Sequence, residues 1–244
     1  MKIAALSDIH GNLAALDAVL DDIRRRGADV IVNLGDILSG ALHPCETADR
    51  LMPLGLPTIR GNHERQVLEG RRDAMRLSDQ LAHDTLRADQ LAWLASLPTH
   101  LALDDDVLLV HGTPASDLEY FLETVTADGC RAATHDEAKQ RAGDTAASLI
   151  LCGHTHVPRA LALDDGRLIV NPGSVGLQAY ADDLPFPHRI ETGSPHARYA
   201  MASRTASGWA VEFHAIEYDW QTAAATAAAI GRDEWSVALR SGRC

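Results

Sequence analysis

The sequence lacks a Cys-x-x-Cys pair, a long apolar run and an excess of positive charge, and each absence removes a class of protein. Its four cysteines, Cys45, Cys130, Cys152 and Cys244, are scattered. Neither a disulfide framework nor a zinc ribbon is indicated, and unpaired thiols in a reducing compartment are expected. No stretch reaches the roughly 18 apolar residues that a membrane helix needs. The opening MKIAALSDIHGN carries neither a charged leader nor a long apolar segment, so a cytoplasmic protein with no membrane partner is expected. With 22 basic against 34 acidic residues and a formal charge of −12, an extended nucleic-acid surface of clustered Lys and Arg is not expected. An anionic substrate would need a local positive site, such as bound metal. The sequence says nothing about oligomeric state.

What is present is a chain of 244 residues, 46% apolar, long enough for one substantial core. One domain over residues 1–244 is expected. Residues 2–7 read as a buried strand, and Leu13, Leu16, Leu20 and Ile23 recur at helical spacing before Arg26 and Gly27 close the stripe. Residues 29–34 (DVIVNL) give the next strand, and a βαβ unit of this kind implies a parallel pair. A helix is expected near 44–52, a short strand at 57–59, and a longer helical region from 64 to 95 interrupted near Ser78. Two apolar runs, 100–103 and 107–111, flank the acidic turn Asp104, Asp105, Asp106 and predict a hairpin. After a partly helical stretch from 116 to 143, strands are expected at 148–152, 158–163, 167–170, 198–203 and 209–217, the second half building a second sheet. Residues 176–195, with Pro185, Pro187 and Gly193, read as a long loop over a functional site. The alanine-rich run 223–229 reads as a helix.

Polar residues gather where the apolar runs end. Asp8 and His10 follow the first strand, Asp36 the second, Asn62 and His63 the third, His111 follows VLLV, and His154 and His156 follow LILC. The carboxyl ends of parallel strands share one edge, and ligands bind there. Singly, each has a plainer reading: a turn residue, a surface histidine, a satisfied histidine at a strand end. His154 and His156 are the strongest pair, because alternation along an extended segment would put both rings on one side. Asp, Asn and His together offer oxygen and nitrogen donors without thiolate, which suits Mn, Fe, Zn or Ni better than structural zinc or a calcium cage. Such a cluster holds two cations if a carboxylate bridges them, and Asp36 is the natural bridge.

The ordered blocks SDIHGN, LGDIL, RGNHE, VHG, CGHTH and NPGSVG, spread over residues 4–176, resemble the calcineurin-like metallophosphoesterase superfamily. The resemblance implies a four-layer α/β/β/α sandwich with two mixed sheets and a dinuclear transition-metal site, manganese first among the candidates. It implies that Asp8, His10 and His156 hold one metal, that Asn62, His111 and His154 hold the other, and that Asp36 bridges them. His63 would stay free of metal, beside a phosphate-ester substrate, as proton donor or transition-state stabiliser. Two cations roughly 3.5 to 4 Å apart make hydroxide available at neutral pH and neutralise the phosphoryl oxygens during in-line attack.

One departure bears on the substrate. The Ser/Thr protein phosphatases that share Gly-Asn-His-Glu carry an arginine shortly after the Gly-Asp block, where this chain has Ile37, Leu38, Ser39 and Gly40. Phosphodiesters or small phosphate esters are therefore expected ahead of phosphoproteins. A protein phosphatase, and a non-catalytic scaffold of the same fold, are the alternatives. Arg60 could stand in for the missing arginine, although a structurally paired arginine is the favoured reading. Asn171 and Ser174 are expected to orient metal ligands through hydrogen bonds. His43, His83, His100, His135 and His214 read as surface or packing residues, whereas Tyr180, His188, His196 and Arg198 lie in or beside the 176–195 segment and could reach substrate, although a structural role is the favoured reading for each.

Overall fold

The computed structural model describes residues 1–244. The chain opens with β1 (Lys2–Leu6), α1 (Leu13–Arg26), β2 (Val30–Asn33) and α2 (Pro44–Leu51), then α3 (Asn62–Glu69), α4 (Leu77–Thr85) and α5 (Ala88–Ser96). There follow β3 (His100–Asp104), β4 (Val107–Val110), the hairpin β5 (Glu123–Thr126) and β6 (Gly129–Ala132), α6 (His135–Ala142) and β7 (Leu149–Leu151). The last third holds β8 (Arg159–Ala162), β9 (Leu168–Asn171), β10 (Ala179–Asp182), β11 (His188–Glu191), β12 (Ala197–Thr205), β13 (Gly208–Ile216), α7 (Trp220–Ala229) and α8 (Asp233–Ser241). No helix is long and apolar enough to cross a membrane.

Two mixed sheets face each other. One has the order β13-β12-β1-β2 and the other β3-β4-β7-β9-β8. Strands β1 and β2 run parallel, as do β4, β7 and β9. Strand alternation sorts the side chains into layers. Ile3 and Ala5 of β1, Leu149 and Leu151 of β7, and Ala200 and Ala202 of β12 fill the space between the sheets. Ala4 and Leu6 point the other way, with Tyr199 and Met201, against Leu16, Val19, Leu20 and Ile23 of α1. Ile150 and Ile169 turn outward onto Ala138 and Ala142 of α6. The result is the expected α/β/β/α sandwich, with α1 to α5 on one side and α6 on the other.

Helix α1 shows how local chemistry sets these elements. The Asn12 side chain caps its start by accepting from the Ala15 N–H at 3.2 Å, while Arg24, Arg25 and Arg26 occupy the last turn, where the helix dipole favours cations. The chain leaves the helix at Gly27 with φ 70°, a conformation that glycine adopts without penalty.

Several expectations need correction. Residues 57–59 form no strand; Thr58 makes only a parallel bridge to Asn33. The helical stretch 64–95 breaks at Gly70–Arg76 and again at Leu86–Arg87, so Ser78 lies inside α4. The 116–143 stretch contains the hairpin β5–β6 as well as α6. Residues 176–195 are not a loop: β10 and β11 pair antiparallel within them. Strands β12 and β13 return to the first sheet instead of extending the second. Helix α8 was not anticipated.

Candidate metal centre

The two parallel sets of strands end on one edge, and the loops leaving them are stitched together by their backbones. The Asp8 N–H donates to Gly35 O at 3.0 Å, His10 N–H to Asp36 O at 3.0 Å, and Gly153 N–H to His111 O at 2.7 Å. Such approach requires missing side chains: a Cβ at Gly61 would collide with Asp36 Oδ1, and one at Gly153 with Ser7 Oγ. The five non-glycine residues with positive φ in this protein are Asp8, His10, Asp36, His154 and His156, at 51° to 70°. All five are candidate ligands. L-residues resist this region because Cβ crowds the following carbonyl, so the strain of the chain is concentrated where the donors converge.

This corrects the expectation for His154 and His156. They do not alternate along an extended segment; β7 ends at Leu151, and both residues sit in left-handed conformation beyond it. The turn sends the imidazoles to different groups. Asp8, His10 and His156 form one cluster of possible ligand atoms and Asp36, His111 and His154 another, the atoms within each lying within 4.8 Å of one another. Asn62, at the start of α3, joins the second through Oδ1, 3.1 Å from His111 Nε2.

Tautomers follow from the partners. The Nδ1 atoms of His10, His111 and His156 lie 2.7 Å from the backbone oxygens of Ser39, Leu34 and Leu177. A carbonyl only accepts, so each Nδ1 carries a proton and, in the neutral ring, leaves Nε2 as a lone pair. His154 is reversed: its Nε2–H donates to Leu118 O at 3.1 Å, which frees Nδ1. His10 Nε2 and His156 Nε2 face each other at 3.1 Å, and Asp8 Oδ1 lies 3.4 Å from the latter. Asp8 Oδ1 is buried without a hydrogen-bond partner. Three acceptors around one point, one of them an orphaned buried carboxylate oxygen, fit a divalent cation; the residues present suit the metal that the chemistry calls for.

The charges agree. Burial, reinforced by His156, holds His10 down to about 4, and burial with His111 holds His154 at about 4, so both rings are neutral lone-pair donors. Burial alone would raise Asp36, but His111 and His63 keep it well below the ordinary carboxylate range. Against burial, Asp36 pushes His111 up to about 10. A proton on His111 and a cation beside it answer the same negative charge, and a metal ligand must give up that proton.

His63 belongs to neither group but borders the second, its Nε2 4.0 Å from Asp36 Oδ2. Its Nδ1 is 2.6 Å from Asp79 Oδ1 in α4, its backbone N–H donates to Asp36 Oδ1 at 3.0 Å, and its ring remains 21% exposed. It lines a cavity of about 710 Å³ together with His10, Asp36, Asn62, His154 and His156. A separate cleft of about 490 Å³ beside Gln140 and Arg141 shares none of these residues.

Two supporting residues escaped the sequence reading. Glu64 accepts from the backbone N–H of Asp36, Ile37 and Gly61 at 2.8 to 2.9 Å, clamping the Gly-Asp loop to the Gly-Asn-His turn. Asp79 fixes His63. Glu64 follows His63 in the motif and was legible as part of it, while Asp79 carries no local signal. Asn171 and Ser174 act on loops and not on ligand side chains: Asn171 Nδ2 donates to Gly153 O and Thr155 Oγ1, and Ser174 Oγ to Asp8 O. Tyr180 lines the cavity, and His188 backs it through the Tyr120 hydroxyl at 3.0 Å. His196 and Arg198 do not line it, and Arg60, 3.9 Å from Glu69, is not on its wall either. His43, His83 and His100 are exposed, and His214 stacks on Tyr199.

A two-sheet α/β sandwich with a histidine and aspartate cluster at its strand ends defines a metallophosphoesterase architecture. The calcineurin-like phosphoesterase superfamily domain matches residues 1–185, and the chain belongs to that family. It is similar to a metallophosphoesterase of Sphaerobacter thermophilus, at 28% identity and a TM-score of 0.75 over 98% of both chains. An uncharacterised protein of Methanocaldococcus jannaschii is 30% identical over 200 residues, 71% of this chain and 76% of that protein. A structure described as a putative diadenosine tetraphosphatase shares the fold, at 18% identity and a TM-score of 0.54 over 87% of this chain and 93% of that one.

Proposed function

We propose that the protein is a dinuclear metal-dependent phosphoesterase that hydrolyses phosphodiesters or small phosphate esters. The observation that carries this is the convergence of histidine lone pairs on Asp8 and Asp36, with Asp8 Oδ1 buried and unpartnered. Asp8, His10 and His156 would hold one cation, Asn62, His111 and His154 the other, with Asp36 between them; mixed oxygen and nitrogen donors suit Mn, Fe, Zn or Ni, and Mn²⁺ is the first candidate from the family resemblance. When bound, such a pair activates water and neutralises charge on the phosphoryl oxygens.

The remaining work falls to the protein. Against burial, Asp36 and Asp79 push His63 up to about 9, so with Nδ1–H held by Asp79 the ring keeps a proton on Nε2 that it can give to the departing oxygen. Glu64 keeps the loops of Asp36 and Asn62 in register. Tyr180, Leu177 and Trp235 wall the cavity, which favours a small ester over the flat surface of a phosphoprotein. The net charge of −12 supports the same choice over nucleic acid.

The test is hydrolysis of bis(p-nitrophenyl) phosphate, p-nitrophenyl phosphate, a cyclic nucleotide and a phosphopeptide with added Mn²⁺, alongside metal analysis. The diester or a small monoester should be cleaved, and His63→Ala should lower kcat by about a hundredfold or more while metal content stays at the wild-type level. No hydrolysis by metal-loaded protein would favour the non-catalytic scaffold, and turnover confined to the phosphopeptide would favour a protein phosphatase.

A further inference from the structure

The arginine missing after the Gly-Asp block has counterparts elsewhere on the cavity wall. Arg76, just before α4, and Arg232, just before α8, both line the cavity of the candidate metal centre. Helix α8 lies beyond the 1–185 segment that matches the family, so Arg232 reaches the site from outside that segment.

Arg232 is built in, not draped over the surface. Its side chain is 11% exposed, its Nε–H donates to Glu234 at 2.6 Å, one terminal N–H donates to Ser78 Oγ at 3.1 Å, and the guanidinium lies 5.6 Å from the Trp235 ring centroid. A guanidinium has five N–H donors, and these contacts use two. Ser78 adjoins Asp79, whose carboxylate holds His63. The Ser78 hydroxyl that Arg232 holds is therefore one residue along the chain from the group that orients the proton donor. Arg76, two residues before Ser78, is 64% exposed and paired with Asp182 at 3.1 and 3.2 Å. An exposed pair of this kind is worth about 0–1 kcal/mol, so a ligand can displace it.

We infer that Arg232 and Arg76 form a second anion subsite on the His63 side of the cavity, which takes a second phosphoryl group of the substrate. Two planar forks held just ahead of two helices suit a tetrahedral dianion, which each can grip through paired oxygens. A cavity of about 710 Å³ has the volume for a nucleotide-sized molecule. The preferred ester then carries two phosphoryl groups, as nucleoside bisphosphates and diphosphates do. The subsite rests on the phosphoesterase reading only for the position of the first phosphoryl group.

Calorimetry on Mn²⁺-loaded protein tests it, comparing thymidine 3′,5′-bisphosphate with thymidine 5′-monophosphate, and ADP with AMP. At least one doubly phosphorylated ligand should bind about tenfold tighter than its monophosphate, and Arg76→Gln with Arg232→Gln should bring that ratio towards one. Arg232→Lys should keep part of it. If Arg232→Gln fails to fold, Arg76→Gln alone carries the test, with an expected drop of about threefold. Equal affinities in the wild type, or a ratio indifferent to both arginines, would overturn the subsite. Preserved, arginine-dependent discrimination in a protein that cleaves no ester would uphold the subsite and sink the phosphoesterase reading instead.

Discussion

Asp8, His10, Asp36, His154 and His156 share a backbone conformation that their side chains disfavour, which separates their contribution to binding from their contribution to folding. Left-handed φ costs an L-residue roughly 1–2 kcal/mol, and glycine avoids that cost. In metal-free protein, His154→Gly should therefore be more stable than His154→Ala by about 1 kcal/mol, the reverse of the order in a helix. Both variants lose the imidazole and its bond to Leu118 O, so the difference between their urea midpoints reports the backbone alone; alanine equal to or above glycine would contradict the strain. The pair His63 and Asp79 allows a second residue-scale prediction. Asp79→Asn replaces an anionic partner of Nδ1 with a neutral one, and kcat should fall about tenfold or more. In a His63→Ala background the same change should cost nothing further. Independent, additive losses would show that Asp79 does not act through His63.

Among the elements, α1 offers the clearest pH signature. Burial would raise the Asp22 carboxyl, but hydrogen bonds from Arg26, Tyr199 and Arg25 hold it down to about 2. Tyr199 is fully buried on β12, so Asp22 pins the helix to the sheet through Tyr199 Oη at 2.7 Å. Because the folded value lies below 3.8, the unfolded chain takes up its proton first. The stability tied to Asp22 is complete above 3.8 and is lost as pH falls through about 2. Asp22→Asn should flatten the fall in urea midpoint across that window, and an unchanged slope would rule the carboxylate out. Helix α1 was also among the most legible elements, since its stripe and its closing Gly27 both lie in sequence. So were the strands that deliver Asp8, Asp36, His111, His154 and His156, whose ends coincide with the motif blocks. The β10–β11 hairpin was not legible. Pro185, Pro187 and Gly193 obscured its alternation, and its buried residues, Ala179, His188 and Ile190, make a weak apolar signal. The contacts of Asp79 with His63 and of Arg232 with Ser78 span 16 and 154 positions, distances at which no local pattern reports.

At the scale of the whole molecule, the cluster places two buried carboxylates, Asp8 and Asp36, and all of the non-glycine backbone strain at one edge of a chain with a net charge of −12. A cation there offsets charge that folding has taken out of water, so metal binding and folding are coupled. A ligand present at 100 times its dissociation constant stabilises the native state by about 2.7 kcal/mol per site, and for a chain of this size each kcal/mol shifts the melting temperature by about 2–4 °C. Calorimetric melting in rising Mn²⁺ should therefore move upward by at least about 5 °C from the chelator-treated protein. Mg²⁺ should do less, because it prefers an all-oxygen shell. The shift should shrink as pH falls from 8 to 5, because His111, pushed up to about 10, must release its proton to bind metal, whereas His10 and His154, held down to about 4, are already neutral. Asp36→Asn, which removes the carboxylate proposed to lie between the two cations, should abolish most of it, whereas His63→Ala should retain it in full. A melting temperature indifferent to Mn²⁺ in protein first freed of metal would mean that these side chains do not hold a cation, and equal losses in the two variants would place His63 among the ligands.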